Sequence, residues 1–331
     1  MALQISAALR QDLPRLQPQD LISVVIPAYN EEESLEPLYE ELISVFTDIH
    51  RPFEIVFVND GSTDESYGVL RRICDRDPRV RALRLRRNFG KAAALSEGFR
   101  EAKGAIVVTM DADLQDDPKE IPNFLAKLDE GYDLVSGWKF HRLDPISKTL
   151  PSKLFNKVSA VTTGVDLHDF NCGFKAYRRE VLEHVKVYGE LHRYIPALAY
   201  GNGFMVGEIK INHRPRQFGK SKYGAARFTR GFLDLLTVLF ITRYTKKPLH
   251  LFGSMGLALL GLGFVINAYL AVLWTMGYGI GHRPLLTFGV LLMILGIQFI
   301  STGLIGEMIV HVQRKDDTVV AGRTCREDHP E

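Results

Sequence analysis

Val107-Val108-Thr109-Met110-Asp111-Ala112-Asp113-Leu114-Gln115-Asp116-Asp117-Pro118 is the stretch on which the reading of this chain turns. Val107 to Met110 are apolar or β-branched and predict a buried strand. Two carboxylates and an amide follow at i, i+2 and i+4, at the carboxyl end of that strand. In an open α/β sheet that end is where ligands bind. Alternate positions of an extended segment face one way, so Asp111 and Asp113 are expected to meet a single ion. Hard oxygen donors suit Mg2+ or Mn2+, which are commonly shared with substrate phosphates. A solvated acidic turn is the plain alternative for an isolated Asp-x-Asp, so the surrounding sequence has to decide.

The surroundings repeat the pattern. Ser23 to Ile26 reads as a strand that ends in Pro27-Ala28-Tyr29-Asn30-Glu31-Glu32, with Ser34 as the expected cap of a helix to about Phe46. Phe53 to Val58 is a second strand and ends in Asn59-Asp60-Gly61-Ser62-Thr63-Asp64, a turn that also caps a helix. Val80 to Leu85 is a third, followed by Arg86 to Lys91 and a helix over about Ala92 to Ala102. Strands alternating with helices imply right-handed βαβ units and a mainly parallel sheet. Each strand ends in a polar cluster, so the clusters converge on one edge. G-x-G-x-x-G and G-x-x-x-x-G-K-[ST] are both absent, so the dinucleotide and P-loop readings lack their phosphate loops. Further on, Tyr132 to Gly137 and Val206 to Ile211 predict strands, and His168 to Lys175 predicts a polar turn.

The net charge of +2 over 331 residues gives no case for nucleic acid as a partner. Cys74, Cys172 and Cys325 are widely separated and form no C-x-x-C, which excludes the common zinc and disulfide frameworks and fits a reducing compartment. Residues 1–20 contain no apolar h-region and read as a loose tail. The far end differs. Leu249 to Trp274 and Pro284 to Gly306 contain no Asp, Glu, Lys or Arg, and each exceeds the ~20 residues that a helix needs to cross a bilayer. Arg and Lys crowd the sequence before the first span and after the second, and the short connection carries only Arg283. The positive-inside rule then places both termini and the catalytic domain in the cytoplasm. Phe228, Phe232, Leu235, Leu236, Leu239 and Phe240 form an apolar face edged by Arg227, Arg230, Arg243 and Lys246, as expected of a helix lying in the headgroup layer. Small residues in the spans (Gly253, Gly256, Gly261, Gly263, Gly303, Gly306) permit close helix packing and, with it, a homo-oligomer. The expected organisation is a tail over 1–20, a catalytic domain over 21–225, an interfacial helix over 226–247, a two-helix transmembrane region over 248–312 and a cytoplasmic tail over 313–331.

Taken together, the Pro27–Glu32 turn, Val58–Asp64, Asn88-Phe89-Gly90-Lys91, Asp111-Ala112-Asp113-Leu114-Gln115, Asp169–Lys175 and Arg216–Tyr223 resemble glycosyltransferase family 2. The likeness is to its membrane-anchored polyprenyl-phosphate glycosyltransferases, similar to dolichol-phosphate mannose synthase. It covers about Ser23 to Tyr223, and the two spans match the membrane-anchored branch. One departure is Asp116-Asp117-Pro118, which adds negative charge directly after the metal motif. The resemblance implies a GT-A fold, a Rossmann-like α/β domain that binds a nucleoside-diphosphate sugar (UDP- or GDP-linked). Pro27, Tyr29, Glu31 and Asp60 would hold base and ribose, with Lys91 and Asp111 also on the nucleotide sugar. Asp111, Asp113 and Gln115 would hold the divalent metal. Arg216, Ser221 and Lys222 would contact donor or acceptor phosphate, and Asp113, Asp169 and Arg216 would be catalytic.

The chemistry expected is direct, inverting displacement by a dolichyl or undecaprenyl phosphate on the sugar's anomeric carbon. A phosphate monoester has a second pKa of about 6, so the nucleophile is ionised without a strong base. The competing readings are a processive polysaccharide synthase, which would show an Arg-Trp pair that this chain lacks, and a non-catalytic membrane scaffold or flipping partner, whose acidic cluster would have eroded.

Overall fold

In a computed structural model, residues 16–140, 156, 159–160, 163–185, 191–215, 248–279 and 284–313 are described. The chain divides into two compact units, Met1–Val238 with Val319–Glu331 and Leu239–Thr318.

The first unit is built on a seven-stranded sheet: β1 (Ile22–Ala28), β2 (Phe53–Asn59), β3 (Val80–Arg84), β4 (Ile106–Thr109), β5 (Leu134–Lys139), β6 (Lys175–Arg178) and β7 (Val206–Ile211). The order is β3-β2-β1-β4-β6-β5-β7. All neighbours pair in parallel except β6, which runs antiparallel to both β4 and β5. Helices cover both faces: α1 (Leu35–Ile49), α2 (Ser66–Arg76), α3 (Lys91–Glu101), α4 (Ile121–Asp129), α5 (Arg179–His184) and α6 (Ile195–Gly201).

The period of two along each strand sorts the core. Val24, Ile26, Ile55, Phe57 and Val108 pack with Leu38, Leu42, Phe46, Leu70 and Phe124. Val25, Val56, Val58 and Val107 point the other way, against Ala94, Leu95 and Ile195. Because both faces are covered, β1, β2 and β4 are mostly apolar and buried along almost their whole length, whereas the outermost strands β3 and β7 are only half-buried.

The expected strands are present, with small shifts. α1 continues to Ile49 rather than ending at Phe46, and β4 stops at Thr109, so Met110 lies outside it. Ser34 occupies the cap position of α1 but makes no capping bond; its hydroxyl donates instead to the Glu31 carbonyl (3.1 Å). Lys175, expected in a turn, opens β6. The predicted interfacial helix over 226–247 lies outside the described residues.

The second unit is a helical hairpin, α7 (Pro248–Thr275) and α8 (Pro284–Gln313), each long and apolar enough to cross a membrane (mean hydropathy 2.1). A core helix of a soluble protein would be mostly buried. Here Leu257, Phe264, Val265, Ile294 and Ile305 stand exposed, an apolar surface suited to lipid. The helices meet at glycines: a Cβ on Gly256 would lie 2.6 Å from the Gly296 carbonyl oxygen, and one on Gly263 2.6 Å from that of Gly289. Gly303 and Gly306 also pack within the hairpin, against Leu249 and Pro248. A side chain added at Gly261 would meet nothing within 4 Å, and one added at Gly253 would meet only Leu249.

Candidate functional site

The carboxyl edge of the sheet carries two kinds of polar construction. On one side, the turns after β1 and β2 lock together. The Asn30 N–H donates to the Ser62 hydroxyl and the Thr63 N–H to the Asn30 side-chain carbonyl, each at 2.9 Å. The Glu31 N–H donates to the Ser66 hydroxyl (2.9 Å) and the Glu65 N–H to the Glu32 carboxylate (2.7 Å). Asn30 adopts a left-handed φ of 53°, which Asn tolerates better than most residues. Asp60, expected to cap a helix or contact the ribose, is buried and accepts the N–H groups of Phe89 (2.8 Å) and Gly90 (2.9 Å). It thereby ties the third loop to the second. Burial raises its carboxyl above the ordinary value, and the two N–H donors oppose that without cancelling it. Pro27 lies on β1 and Tyr29 just beyond it, both half-buried on this side.

The other side follows β4 and is governed by ion pairs. Because the strand ends at Thr109, Asp111 and Asp113 leave from a turn and not from alternate strand positions, and Leu114 in that turn has φ 59°. Asp111, half-buried, is ion-paired with the Lys91 ammonium, so Lys91 is not an ordinary solvated side chain. Burial pushes the Asp111 carboxyl up, but Lys91 and Lys139 outweigh it and hold the group down at about 2. Asp113 is buried and accepts the Gln115 N–H (3.2 Å). The Gln115 amide lies 3.5 Å from the His213 ring.

The two extra carboxylates after the motif are neutralised locally. Asp116, fully buried, pairs with Lys139 (3.1 Å) and approaches the Asp111 N–H (3.3 Å). Arg214 bridges Asp117 (2.7 Å) and Glu41 (2.8 Å), while its own N–H donates to the Gln115 carbonyl (2.9 Å). The added negative charge therefore supports the turn and leaves Asp111 and Asp113 as the carboxylates of the motif.

The loop before β6 closes against this turn. The Thr109 hydroxyl donates to the Gly173 carbonyl (2.8 Å), and a Cβ on Gly173 would lie 2.9 Å from both Asp111 carboxylate oxygens and from Lys91 Nζ. A side chain there would have to displace the ends of that pair. Asp169, buried, caps its own loop by accepting the Asn171 N–H (3.0 Å). His192, which no motif marks, contributes an imidazole whose Nδ1 is buried and has no hydrogen-bond partner among the described residues. Burial, then Lys91, Arg193 and Lys175, hold it well below its ordinary pKa, so it is neutral. Lys175 is buried with its ammonium on the Cys172 carbonyl, and burial pushes its pKa down as well. The Cys172 thiol is pushed up to about 12 by burial and is unreactive as a nucleophile.

The structure therefore brings Pro27, Tyr29, Glu31, Asp60, Lys91, Asp111, Asp113 and Gln115 to one edge, with the Asp169 loop tied to it through Gly173. Arg216, Ser221 and Lys222 lie outside the described residues. Among the described residues, no group of three or more His, Cys, Asp or Glu side chains is placed to hold a metal ion. The donor set nevertheless suits a hard cation: Asp111 already draws a positive charge in the form of the Lys91 ammonium, and Asp113 and Gln115 add oxygens. Two clefts, of about 550 and 440 Å³, lie beside α1 and β7, and neither is lined by Asp60, Lys91, Asp111 or Asp113. The chemistry marks the site, and these two clefts do not.

Comparison with known proteins places the chain. Residues 23–186 match the model of Glycosyl transferase family 2. The dodecaprenyl-phosphate galacturonate synthase of Rhizobium johnstonii is 40% identical over 302 residues, covering 89% of each chain. The chain belongs to glycosyl transferase family 2. The undecaprenyl-phosphate 4-deoxy-4-formamido-L-arabinose transferase of Pseudomonas aeruginosa is 38% identical over 296 residues, 88% of this chain and 86% of that one. These relatives of the glycosyltransferase are polyprenyl-phosphate sugar transferases, named for galacturonate and 4-deoxy-4-formamido-arabinose and not for mannose, so the finer likeness to a mannose synthase is not what they support. Glucosyl-3-phosphoglycerate synthase from Mycobacterium tuberculosis, in complex with Mn2+, UDP and phosphoglyceric acid, superposes with a TM-score of 0.53 at 20% identity, over 72% of this chain and 82% of that one. That likeness shows the fold, a GT-A α/β domain with a mostly parallel sheet.

Proposed function

We propose that this glycosyltransferase moves a sugar from a UDP- or GDP-linked donor to a polyprenyl phosphate, with inversion and with a divalent ion, at the cytoplasmic face of a membrane. The observation that carries the reading is the Lys91–Asp111 pair beside Asp113 and Gln115, a charge-exchange centre suited to a diphosphate and its cation. The names of the polyprenyl-phosphate relatives and the apolar hairpin of the second unit support the lipid acceptor. Lys and Arg flanking both hairpin helices support cytoplasmic termini.

In this reading Pro27, Tyr29, Glu31 and Asp60 shape the side that takes base and ribose. Asp111, Asp113 and Gln115 hold Mg2+ or Mn2+, which when bound neutralises charge on the leaving diphosphate. Lys91 is released from Asp111 to the same phosphates. Arg216, Ser221 and Lys222 receive donor or acceptor phosphate oxygens, and Asp169 positions the sugar. The attacking phosphate is already ionised at neutral pH, so no side chain need remove a proton.

The test is transfer of radiolabelled sugar in native membranes from a panel of UDP- and GDP-sugars, followed by organic extraction. Label enters the lipid phase, and the transfer is lost with EDTA. Asp113→Asn lowers it by about 100- to 1,000-fold, as expected for loss of a charge-stabilising group. Label in a long polymer, or transfer indifferent to both EDTA and Asp113→Asn, sinks the reading.

A further inference from the structure

Asp169 is carried by the loop before β6, a short strand that pairs with β5 over only three residue pairs. What holds it comes from a residue outside every motif. β5 and β7 run parallel with Ser136 opposite Glu208 and Trp138 opposite Lys210, so these four side chains share one face. From that face the Glu208 carboxylate reaches back to the loop. Its Oε1 accepts the N–H groups of His168 (3.0 Å) and Asp169 (3.1 Å), and its Oε2 meets His168 Nδ1 at 2.7 Å. The His168 ring is in turn stacked on Trp138, with centroids 4.0 Å apart and planes 12° from parallel. The His168 carbonyl accepts from the Asn156 amide (2.9 Å).

Two consecutive backbone N–H groups converging on one carboxylate oxygen fix the peptide plane between His168 and Asp169. The imidazole contact fixes the rotation of that plane about the chain. Burial pushes the Glu208 carboxyl up, and the side chain and N–H of His168 and the N–H of Asp169 oppose the shift. The side chain is 11% exposed. A glutamate held solely for solubility on an outermost strand would point to solvent; this one is turned inward and matched.

We propose that Glu208 is the positioning residue of Asp169: it holds the His168–Asp169 peptide so that the Asp169 side chain faces the transferring sugar. The inference rests on the transferase reading above for its consequence, but not for its geometry. Glu208 acts by accepting hydrogen bonds and not through its charge. Glutamine can reproduce the pattern, its Oε1 accepting both N–H groups and its amide donating to Nδ1 of the other His168 tautomer.

The chain contains two tryptophans, so Trp274→Phe leaves Trp138 as the sole reporter of the stacked His168. In that background, in detergent, Glu208→Ala is expected to change Trp138 emission to the level given by His168→Ala, while Glu208→Gln leaves it unchanged. In the transfer assay Glu208→Ala lowers kcat by about 10- to 100-fold, the usual cost of releasing a supporting group, with KM for the nucleotide sugar unchanged. Glu208→Gln retains most of the activity, and Glu208→Ala adds no further loss to Asp169→Asn. The proposal is overturned by unchanged Trp138 emission in Glu208→Ala. It is equally overturned if nucleotide affinity falls in step with kcat, or if Glu208→Gln is as damaged as Glu208→Ala. Absence of transfer by the unmodified protein sinks the polyprenyl-phosphate reading instead, and the emission measurement still decides whether Glu208 holds the loop.

Discussion

The two halves of the sheet's carboxyl edge use the same residue types in opposite ways. After β1, β2 and β3, the oxygens of Asn30, Asp60, Ser62 and Ser66 are taken up by backbone N–H groups of neighbouring loops. After β4, the carboxylates of Asp111, Asp116 and Asp117 meet the cations Lys91, Lys139 and Arg214. A bond to backbone cannot be exchanged without moving the chain. An ion pair between side chains can, because another cation offers the same carboxylate a comparable partner. The first half is a rigid mould; the second is a place where charge can change hands. On the proposed function, the uncharged base and ribose go to the mould and the diphosphate with its cation to the exchangeable side.

The glycines break the comparison most sharply. Gly61 has φ +67°, and a Cβ there would lie 2.3 Å from the backbone carbon of Arg87. Nothing can yield, so Gly61→Ala is expected to cost roughly 2–5 kcal/mol, left-handed strain plus overpacking, and to lower the melting temperature accordingly. Gly173 is less tightly crowded, by the ends of Asp111 and Lys91 at 2.9 Å, which are flexible. Gly173→Ala should leave the melting temperature nearly unchanged while weakening Mn2+-dependent nucleotide binding by about tenfold or more, as supporting-group losses at metal sites do. Equal stability losses for the two variants would erase the distinction between mould and exchange centre.

Lys91→Met sharpens the same contrast with a smaller effect of unusual sign. Removing the ammonium from Asp111 frees a carboxylate for a metal ion, so affinity for Mn2+ alone should rise, by about fivefold for a half-exposed pair worth ~1 kcal/mol. Affinity for the nucleotide should fall, since the phosphates lose a cation. Both are read by titration calorimetry, without reference to turnover. A fall in bare Mn2+ affinity would show that Lys91 supports the turn and does not stand in for the ion.

How much of this was legible in the sequence follows from the same division. The strands and their polar ends were, because apolar runs and turn residues are local signals: β1, β2, β4 and β7 lie within a residue or so of their expected places. Asp60, Asp111, Asp113 and Gln115 were marked by local order and spacing. β6 was not, because Lys175-Ala176-Tyr177-Arg178 has neither apolar run nor clear alternation, and its place between β4 and β5 is set by pairing across the sheet. Nor were Lys139, His192, Glu208 and Arg214, each a single polar residue whose partner lies far along the chain. The nearest thing to a signal was a glutamate inside the strand-like Val206–Ile211 run, where an inward carboxylate requires a partner. The negative charge of Asp116-Asp117 looked like a burden on the metal motif because the cations that meet it come from distant segments.

The smallest effect separates the two halves by proton linkage. Asp60 has its carboxyl raised by burial, so its protonated form is favoured in the folded chain. Its contribution to stability is fully present below the unfolded value, near 3.8, and is lost as pH rises through the higher folded value. Asp111 is held down at about 2 against the same ordinary value, so its contribution is present above that value and is lost as pH falls through about 2. Between about pH 3 and 5, therefore, the two should give slopes of opposite sign. The melting temperature of the unmodified protein should decline relative to Asp60→Asn as pH is raised over that range, while it should rise relative to Asp111→Asn. A flat Asp60 difference would mean that the N–H groups of Phe89 and Gly90 compensate its burial in full. A flat or falling difference for Asp111 in that range would mean that Lys91 and Lys139 do not hold its charge, and the exchangeable half would lose the electrostatic basis that sets it apart.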